Sequence, residues 1–171
     1  MPTSPSTTGP ERAARCRELG ADVAVDHRAI EGTGVADVVL EATDGRGVDV
    51  VLDILGAGGL EENTRCLATG GRLVVIGLLR GRRGELDLGR LLAKRASLHA
   101  TTLRSRPAAE KAEIVSDVRA RVWPMLDDGR LRPVVDQRVP LAEAGRAHDL
   151  LESGSVFGKV LLLPRQAGVS P

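Results

Sequence analysis

Three basic side chains, Arg12, His27 and Arg28, are of types that suit a dianionic phosphate group. Arg12 falls early in a predicted helix, and His27 and Arg28 follow the short apolar segment after that helix. An arginine can donate two parallel hydrogen bonds to phosphate oxygens, which makes such a cluster selective for that group. The alternative interpretation is that the three residues are solvated charges at a helix start and a strand end.

Glycines at the ends of apolar runs are a second candidate feature. The run "VDVVLDILG" ends at Gly56, and "RLVVIGLL" contains Gly77. A glycine at a strand end lets a ligand approach the backbone, although it is also an ordinary way to begin a turn. The stretch "GAGG", 56–59, lacks the G-x-G-x-x-G spacing of a pyrophosphate-binding loop, so we do not assign that role to it.

The sequence predicts no catalytic side chain and no metal site. The three histidines, His27, His99 and His148, do not form a ligand set, and neither H-E-x-x-H nor G-x-S-x-G occurs. The two cysteines, Cys16 and Cys66, form no CxxC motif. We expect both cysteines to be buried reduced thiols.

The composition excludes several classes of function. A net charge of +1 provides no strong field toward nucleic acid or anionic membranes. Aromatic residues make up 1% of the chain, so the platform on which bases stack is missing. The sequence has no apolar run long enough to cross a bilayer, and its first residues, "MPTSPSTTGP", lack the apolar stretch typical of a signal peptide. We therefore expect a cytoplasmic protein without nucleic-acid or membrane partners.

Short apolar runs alternate with helical windows along the chain, which is typical of βαβ units with a parallel sheet. The predicted strands are "ADVAVDH", "VDVVLDILG", "RLVVIGLL", "SLHATTLR", "VVDQRVP" and "KVLLLP". The first helix should end at Gly20, and the helix in "GLEENTRCLATGG" should reach Gly70 and Gly71. A long helix from Pro107 should bend or end near Trp123, because Pro124 interrupts its hydrogen bonds.

Five segments together resemble a known family. They are "ERAARCRELGADVAVDHR", "GRGVDVVLDILG", "CLATGGRLVVIGLLRG", "LLAKRASLHATTLRSRP" and "GRAHDLLESGSVFGKVLL". In order and spacing they are similar to the C-terminal half of NADPH:quinone oxidoreductases, the zeta-crystallin-like, zinc-free branch of the medium-chain dehydrogenases/reductases. The resemblance covers roughly residues 7–163.

The resemblance implies an α/β fold, an incomplete Rossmann-type doubly wound parallel sheet lacking strand 1 and its Gly-rich loop. In the family a GroES-like catalytic domain comes first, and the C-terminal strands return to it. "ADVAVD" and "VDVVLDI" would be strands 3 and 4 of the order 3-2-1-4-5-6. Without the strands between them, either these two pair directly or an apolar strand edge stays exposed.

The resemblance also implies a domain division. We expect residues 1–6 to be an unstructured leader and 7–130 a partial dinucleotide-binding domain. Residues 131–164 would be a C-terminal return segment, and 165–171 a loose tail.

By resemblance the cofactor is NADPH, with weak affinity expected because the Gly-rich loop is missing. "STTGPER" lacks the acidic residue that holds the ribose in NAD sites. Thirteen positions match the family's cofactor contacts. They are Thr8, Arg12, His27 and Arg28 around the 2′-phosphate, Leu55, Gly56, Ile76, Gly77 and Leu78 near the nicotinamide, and Leu103, Arg104, Gly158 and Lys159 facing the cofactor elsewhere. His27 stands where the family usually has a tyrosine.

The family transfers hydride from NADPH to a quinone or another electron-poor enone without a metal. Because the family's substrate-orienting side chains lie mostly in the other domain, we expect little or no activity from this chain alone. One alternative is a non-catalytic remnant that associates with itself or a paralogue through residues 97–103. Another is a fragment of a polyketide synthase enoyl-reductase module.

Overall fold

A computed structural model describes residues 6–7, 9–30 and 34–164. The helices in these ranges are α1 (Pro10–Glu18), α2 (Val35–Glu41), α3 (Leu60–Arg65), α4 (Leu88–Lys94), α5 (Ala108–Arg121), α6 (Trp123–Asp127) and α7 (Ala144–Glu152). The strands are β1 (Ser6–Thr7), β2 (Val25–Asp26), β3 (Val48–Asp53), β4 (Leu67–Val75), β5 (Ser97–Ala100), β6 (Val135–Pro140) and β7 (Lys159–Leu163). The chain divides into two compact units, Met1–Ser105 and Arg106–Pro171.

The first unit is organised around a three-stranded parallel sheet in the order β3-β4-β5. Asp53 is paired with Val75, and Val75 in turn with Ala100, so the carboxyl ends of all three strands meet at one edge. The predicted α/β class with parallel strands is confirmed. The long apolar runs were a sound sign of these strands, because both faces of a parallel strand normally pack against other elements and therefore carry apolar side chains.

The helix predicted to reach Gly70 and Gly71 is shorter than expected, since α3 ends at Arg65 and β4 begins at Leu67. Val48 is paired with Leu67, but Val50 is already paired with Arg72. The intervening residues of β4 therefore form a bulge, in which Gly70 has a φ of 79°. Gly70 and Gly71 therefore belong to the bulge in β4 and do not end a helix.

Of the two alternatives for "ADVAVD" and "VDVVLDI", direct pairing does not occur among the described residues. β2 contains only Val25 and Asp26, and it pairs in parallel with β1. β3 has β4 as its only described neighbour. The edge of β3 that points away from β4 is consequently unpaired among the described residues, and on one face of the strand Val50 is 46% and Leu52 68% exposed.

A small core lies on the other side of the sheet, where Ala36 and Val39 of α2 pack with Cys66. Glu62 joins the two neighbouring helices, because its carboxylate accepts a hydrogen bond from the Ala36 N–H at 2.8 Å. Arg65 pairs with both Glu62 and Asp37. This network of hydrogen bonds and salt bridges holds α2 against α3. It thereby also positions β3 and β4, the strands that precede and follow α3.

The second unit contains the parallel pair β6-β7 and helices α5, α6 and α7. The long helix ends at Arg121, close to the predicted position near Trp123, and a short helix that was not predicted, α6, follows with Pro124 in its first turn. Val139 of β6 and Ala147 of α7 are buried. No helix among the described residues is long and apolar enough to cross a membrane.

Candidate functional site

A buried carboxylate organises the edge where the strands of the first sheet end. Asp53, the last residue of β3, is 4% exposed. Its carboxylate accepts hydrogen bonds from the backbone N–H of Leu55 at 3.1 Å and of Gly56 at 2.7 Å. The Asn63 side-chain amide donates a third, at 2.9 Å. Asp53 therefore sets the path of the chain directly after the strand.

The segments that follow β3 and β4 are joined to each other by backbone hydrogen bonds. The Arg80 N–H donates to the Leu55 carbonyl at 2.8 Å, and the Leu79 N–H donates to Ile54 at 3.0 Å. In the reverse direction the Gly58 N–H donates to the Arg80 carbonyl at 3.0 Å. We call these two segments, residues 54–59 and 76–81, the paired loops.

Gly56 and Gly77 are required by the packing of the paired loops. A Cβ on Gly77 would lie 2.8 Å from the Ile54 carbonyl oxygen, and one on Gly56 would lie 2.7 Å from that of Gly81. Gly56 also has a φ of 73°, a conformation that disfavours other residues. Loop packing thus accounts for both glycines. Five of the predicted positions, Leu55, Gly56, Ile76, Gly77 and Leu78, come together in these loops.

An open pocket of about 410 Å³ lies beside the paired loops. Val75, Leu98 and Ala100 of the sheet line it, together with Gly56 and Leu78 from the loops. Arg82 and Arg83 also line the pocket, and neither was singled out from the sequence. They lie in an irregular stretch without hydrophobic periodicity, and the basic cluster "RGRR" was the only available signal.

Leu103 and Arg104 follow the third strand of the same sheet, and both are exposed. They come after Thr101, whose N–H donates to the Val75 carbonyl at 3.2 Å and so extends the pairing with β4. These two predicted positions therefore lie close in sequence to the same sheet edge, but they do not line the pocket.

The predicted phosphate cluster contains an acidic residue that sequence reasoning passed over. Asp26 lies at the end of β2, and its carboxylate accepts hydrogen bonds from the backbone N–H of Gly9 and of Arg28. These bonds, with the nearby charges of His27 and Arg28, hold the pKa of Asp26 below its ordinary value. The carboxylate thus sits among the basic groups, next to the start of α1, where Arg12 is half-buried. Thr8 lies outside the described residues.

Gly158 and Lys159 belong to the second unit. Gly158 has a φ of 106°, and the Lys159 N–H donates to the Val134 carbonyl at 2.9 Å, which starts the pairing of β7 with β6. Gly158 is thereby accounted for by local strand geometry, and the Lys159 side chain is exposed.

The described ranges contain no group of three or more histidine, cysteine, aspartate or glutamate residues that could hold a metal ion. Cys66 is buried, and burial raises the pKa of its thiol. Cys16 is only half-buried, so the expectation that both thiols are buried is met by one of them.

Comparison with characterised proteins identifies relatives along most of the chain. A quinone oxidoreductase of Pseudomonas aeruginosa is 32% identical over 159 residues, which are 93% of this chain and 48% of the relative. A 2-haloacrylate reductase from a Burkholderia species is 29% identical and matches 91% of this chain and 46% of its own length. The chain therefore spans about half the length of these relatives.

Solved structures of related proteins also match most of this chain. A mycobacterial quinone oxidoreductase superposes with a TM-score of 0.78 at 30% identity, covering 95% of this chain and 49% of the other. A mycobacterial protein whose structure contains NADPH gives a TM-score of 0.74 at 30% identity, over 95% of this chain and 50% of the other. The zinc-binding dehydrogenase family model matches residues 19–162. These matches confirm the resemblance to quinone oxidoreductases, and the chain belongs to the zinc-binding dehydrogenase family.

Proposed function

We propose that this chain is the cofactor-binding portion of an NADPH-dependent oxidoreductase that reduces a quinone or another electron-poor enone. The observation that carries the proposal is the site at the carboxyl edge of the β3-β4-β5 sheet, where the Asp53 carboxylate fixes the paired loops. In open α/β sheets, ligands bind in the crevice outside the carboxyl ends of the strands. Relatives that are quinone oxidoreductases, and one structural relative that holds NADPH, support the same assignment.

Two groups of residues would hold the cofactor. Arg12, His27 and Arg28 would bind the 2′-phosphate at the start of α1 and the end of β2. The paired loops, through Leu55 and Leu78, would hold the nicotinamide end. Asp26 fits a ribose hydroxyl better than a phosphate, since its carboxylate is an acceptor and carries a negative charge. That single acid lowers the expected affinity for the 2′-phosphate without abolishing it.

When bound, NADPH supplies the hydride, and the protein binds and orients it. The residues of this chain would position the cofactor and exclude water from its nicotinamide end. The sequence contains no Gly-rich pyrophosphate loop, so we expect the chain to bind the cofactor weakly and to turn over substrate slowly or not at all.

Binding of cofactor fragments tests this proposal on the chain itself. Adenosine 2′,5′-bisphosphate is titrated into ¹⁵N-labelled protein, and adenosine 5′-monophosphate serves as the ligand without the 2′-phosphate. We expect saturable shifts of the His27 and Arg28 amide signals with the bisphosphate alone, and their loss in Arg12→Gln. Arg15→Gln, one turn further along α1, is the matched control. Equal shifts with both nucleotides, or equal loss in both variants, would contradict the assignment.

A second candidate function is association through residues 97–103. Within the described sheet β5 is an edge strand, and Leu98, His99 and Ala100 are exposed on it. An unpaired strand edge can add a strand from another chain. Light scattering over a range of concentrations measures the mass in solution. A mass of one chain throughout, with no binding to a full-length quinone oxidoreductase, would reject this function.

A further inference from the structure

The pocket beside the paired loops combines apolar walls with two arginine side chains. Of the eleven residues that line it, nine are glycine, alanine, valine or leucine, and the other two are Arg82 and Arg83. No described residue forms a salt bridge or a side-chain hydrogen bond with either arginine. Elsewhere in the same unit, Arg65 and Arg90 each pair with two carboxylates. The pocket arginines therefore lack a counter-charge that other arginines of the fold possess.

Packing holds the arginine-bearing segment at the rim of the pocket. A Cβ on Gly84 would lie 3.0 Å from the Ala57 Cβ, so the chain after Arg83 runs close against the first of the paired loops. The Gly81 carbonyl accepts a hydrogen bond from the Ala57 N–H at 3.0 Å. Arg82 and Arg83 lie between these two anchored positions.

The floor of the pocket is an apolar part of the sheet surface. Val75 of β4 is paired in register with Ala100 of β5, and Leu98 lies two residues before Ala100. Because side chains alternate along a strand, these three face the same side of the sheet. The volume of about 410 Å³ is within the range of small-molecule sites. A planar carbon skeleton would cover this floor, whereas a small hydrated ion would leave it exposed.

We infer that this pocket binds an organic anion, a carboxylate conjugated to a flat unsaturated carbon skeleton, and that Arg82 and Arg83 determine this preference. Guanidinium groups match the two oxygens of a carboxylate, and an arginine without a partner loses no existing salt bridge on binding. The inference rests on the proposed function, in which the paired loops that border the pocket hold the nicotinamide end of the cofactor, and it narrows the substrate class to α,β-unsaturated acids.

Matched ligands test the charge preference on the whole chain. Trans-cinnamate, trans-cinnamamide and acetate are titrated separately into ¹⁵N-labelled protein. Cinnamate should shift the amide signals of Ala57, Leu78 and Leu98 saturably. Cinnamamide, which has the same skeleton without the charge, should bind at least about tenfold more weakly, or about 1.4 kcal/mol. Acetate, which has the charge without the skeleton, should leave these signals unchanged.

Variants identify the residues responsible. Arg82→Gln combined with Arg83→Gln should weaken cinnamate binding by about tenfold or more. Arg80→Gln is the matched control, because Arg80 belongs to the same basic stretch but does not line the pocket. The affinity of the Arg80→Gln variant for cinnamate should stay within about twofold of that of the original chain. The amide spectrum of each variant without ligand shows whether the fold is retained, and both side chains in the double variant are exposed.

Three outcomes would overturn the inference. They are equal affinity for cinnamate and cinnamamide, equal affinity of the double variant and the original chain, and displacement of cinnamate by inorganic phosphate at equal concentration. Displacement by phosphate would indicate that the pocket attracts any anion through its positive charge alone. The cofactor test uses different residues, so the two proposals can fail separately. Cinnamate binding without nucleotide binding would retain the anion site and reject the oxidoreductase assignment.

Discussion

The Asp53 carboxylate and the Gly56 backbone N–H are joined by a hydrogen bond of 2.7 Å that closes the turn after β3. The same carboxylate is bound by Leu55 and by the Asn63 side chain. A buried acid with three N–H donors ties the strand end, the turn and helix α3 together. The start of the first of the paired loops is held by this side chain.

Replacing Asp53 by asparagine should therefore destabilise the fold. Asparagine has one acceptor oxygen and turns an N–H₂ group toward donors, so at least one buried hydrogen bond is lost. We expect the free energy of unfolding to fall by about 1–3 kcal/mol, measured by urea denaturation. Asp49→Asn, on the same strand, removes the exposed salt bridge to Arg46 and should change the free energy of unfolding by less than about 0.5 kcal/mol. Equal losses would show that Asp53 has no special role.

Gly77 should not tolerate a side chain. A Cβ there would lie 2.8 Å from the Ile54 carbonyl oxygen, so Gly77→Ala must push the paired loops apart. We expect a loss of about 1–3 kcal/mol in the free energy of unfolding. Gly145→Ala in helix α7 is the control, because open space surrounds that position and alanine favours helix. A thermal melt should place the first variant below the original chain and the second at or above it.

Acid should weaken the contact between α2 and α3 through Asp37. Its carboxylate accepts a hydrogen bond from the Gly34 N–H and pairs with Arg65, which holds the pKa of Asp37 below its ordinary value of 3.8. A lowered pKa in the folded state contributes stability that is fully present above pH 3.8. That contribution is lost as the pH falls through the folded-state value.

The variant Asp37→Asn removes this titration. It should be less stable than the original chain at neutral pH, and its stability should fall less steeply below pH 3.8. Urea midpoints measured between pH 7 and pH 3 give both slopes. Parallel slopes for the two proteins would mean that Asp37 does not contribute to the acid sensitivity.

The exposed face of β3 should promote self-association. Leu52 is 68% exposed, and Val50 lies on the same face. Leu52→Ser should lower the apparent mass seen by light scattering at high concentration, while changing the free energy of unfolding by less than about 0.5 kcal/mol. Leu73→Ala provides the contrast, because Leu73 is fully buried and its truncation should cost about 2–5 kcal/mol. Unchanged association in Leu52→Ser would locate the contact elsewhere.

The sequence predicted the elements whose signals are local. β3 and β4 were recognisable as continuous apolar runs, and α1 was bounded correctly because Gly20 follows its last turn. The start of β4 was not recognisable from the sequence. The bulge before Arg72 arises from pairing with β3, and its only sign in the sequence is a Gly-Gly pair. A Gly-Gly pair is equally typical of a helix end.

Only part of the candidate site could be predicted from the sequence, because the rest again depends on contacts between residues distant in the chain. The glycines of the paired loops were identified at strand ends, but their packing against carbonyl oxygens depends on contacts 20 or more residues apart. Asp53 could have been recognised as an acid that ends an apolar run. Arg82 and Arg83 could not be assigned to the pocket, because an irregular segment has no period from which to derive its position.

The backbone hydrogen bonds between the paired loops have a consequence for local unfolding. The amides of Ala57, Gly58, Leu79 and Arg80 all donate across the same junction. Opening either loop must break these bonds together, so the four amides should show one common free energy of opening in hydrogen exchange. The two segments, distant in sequence, would then form a single cooperative unit that opens and closes as one.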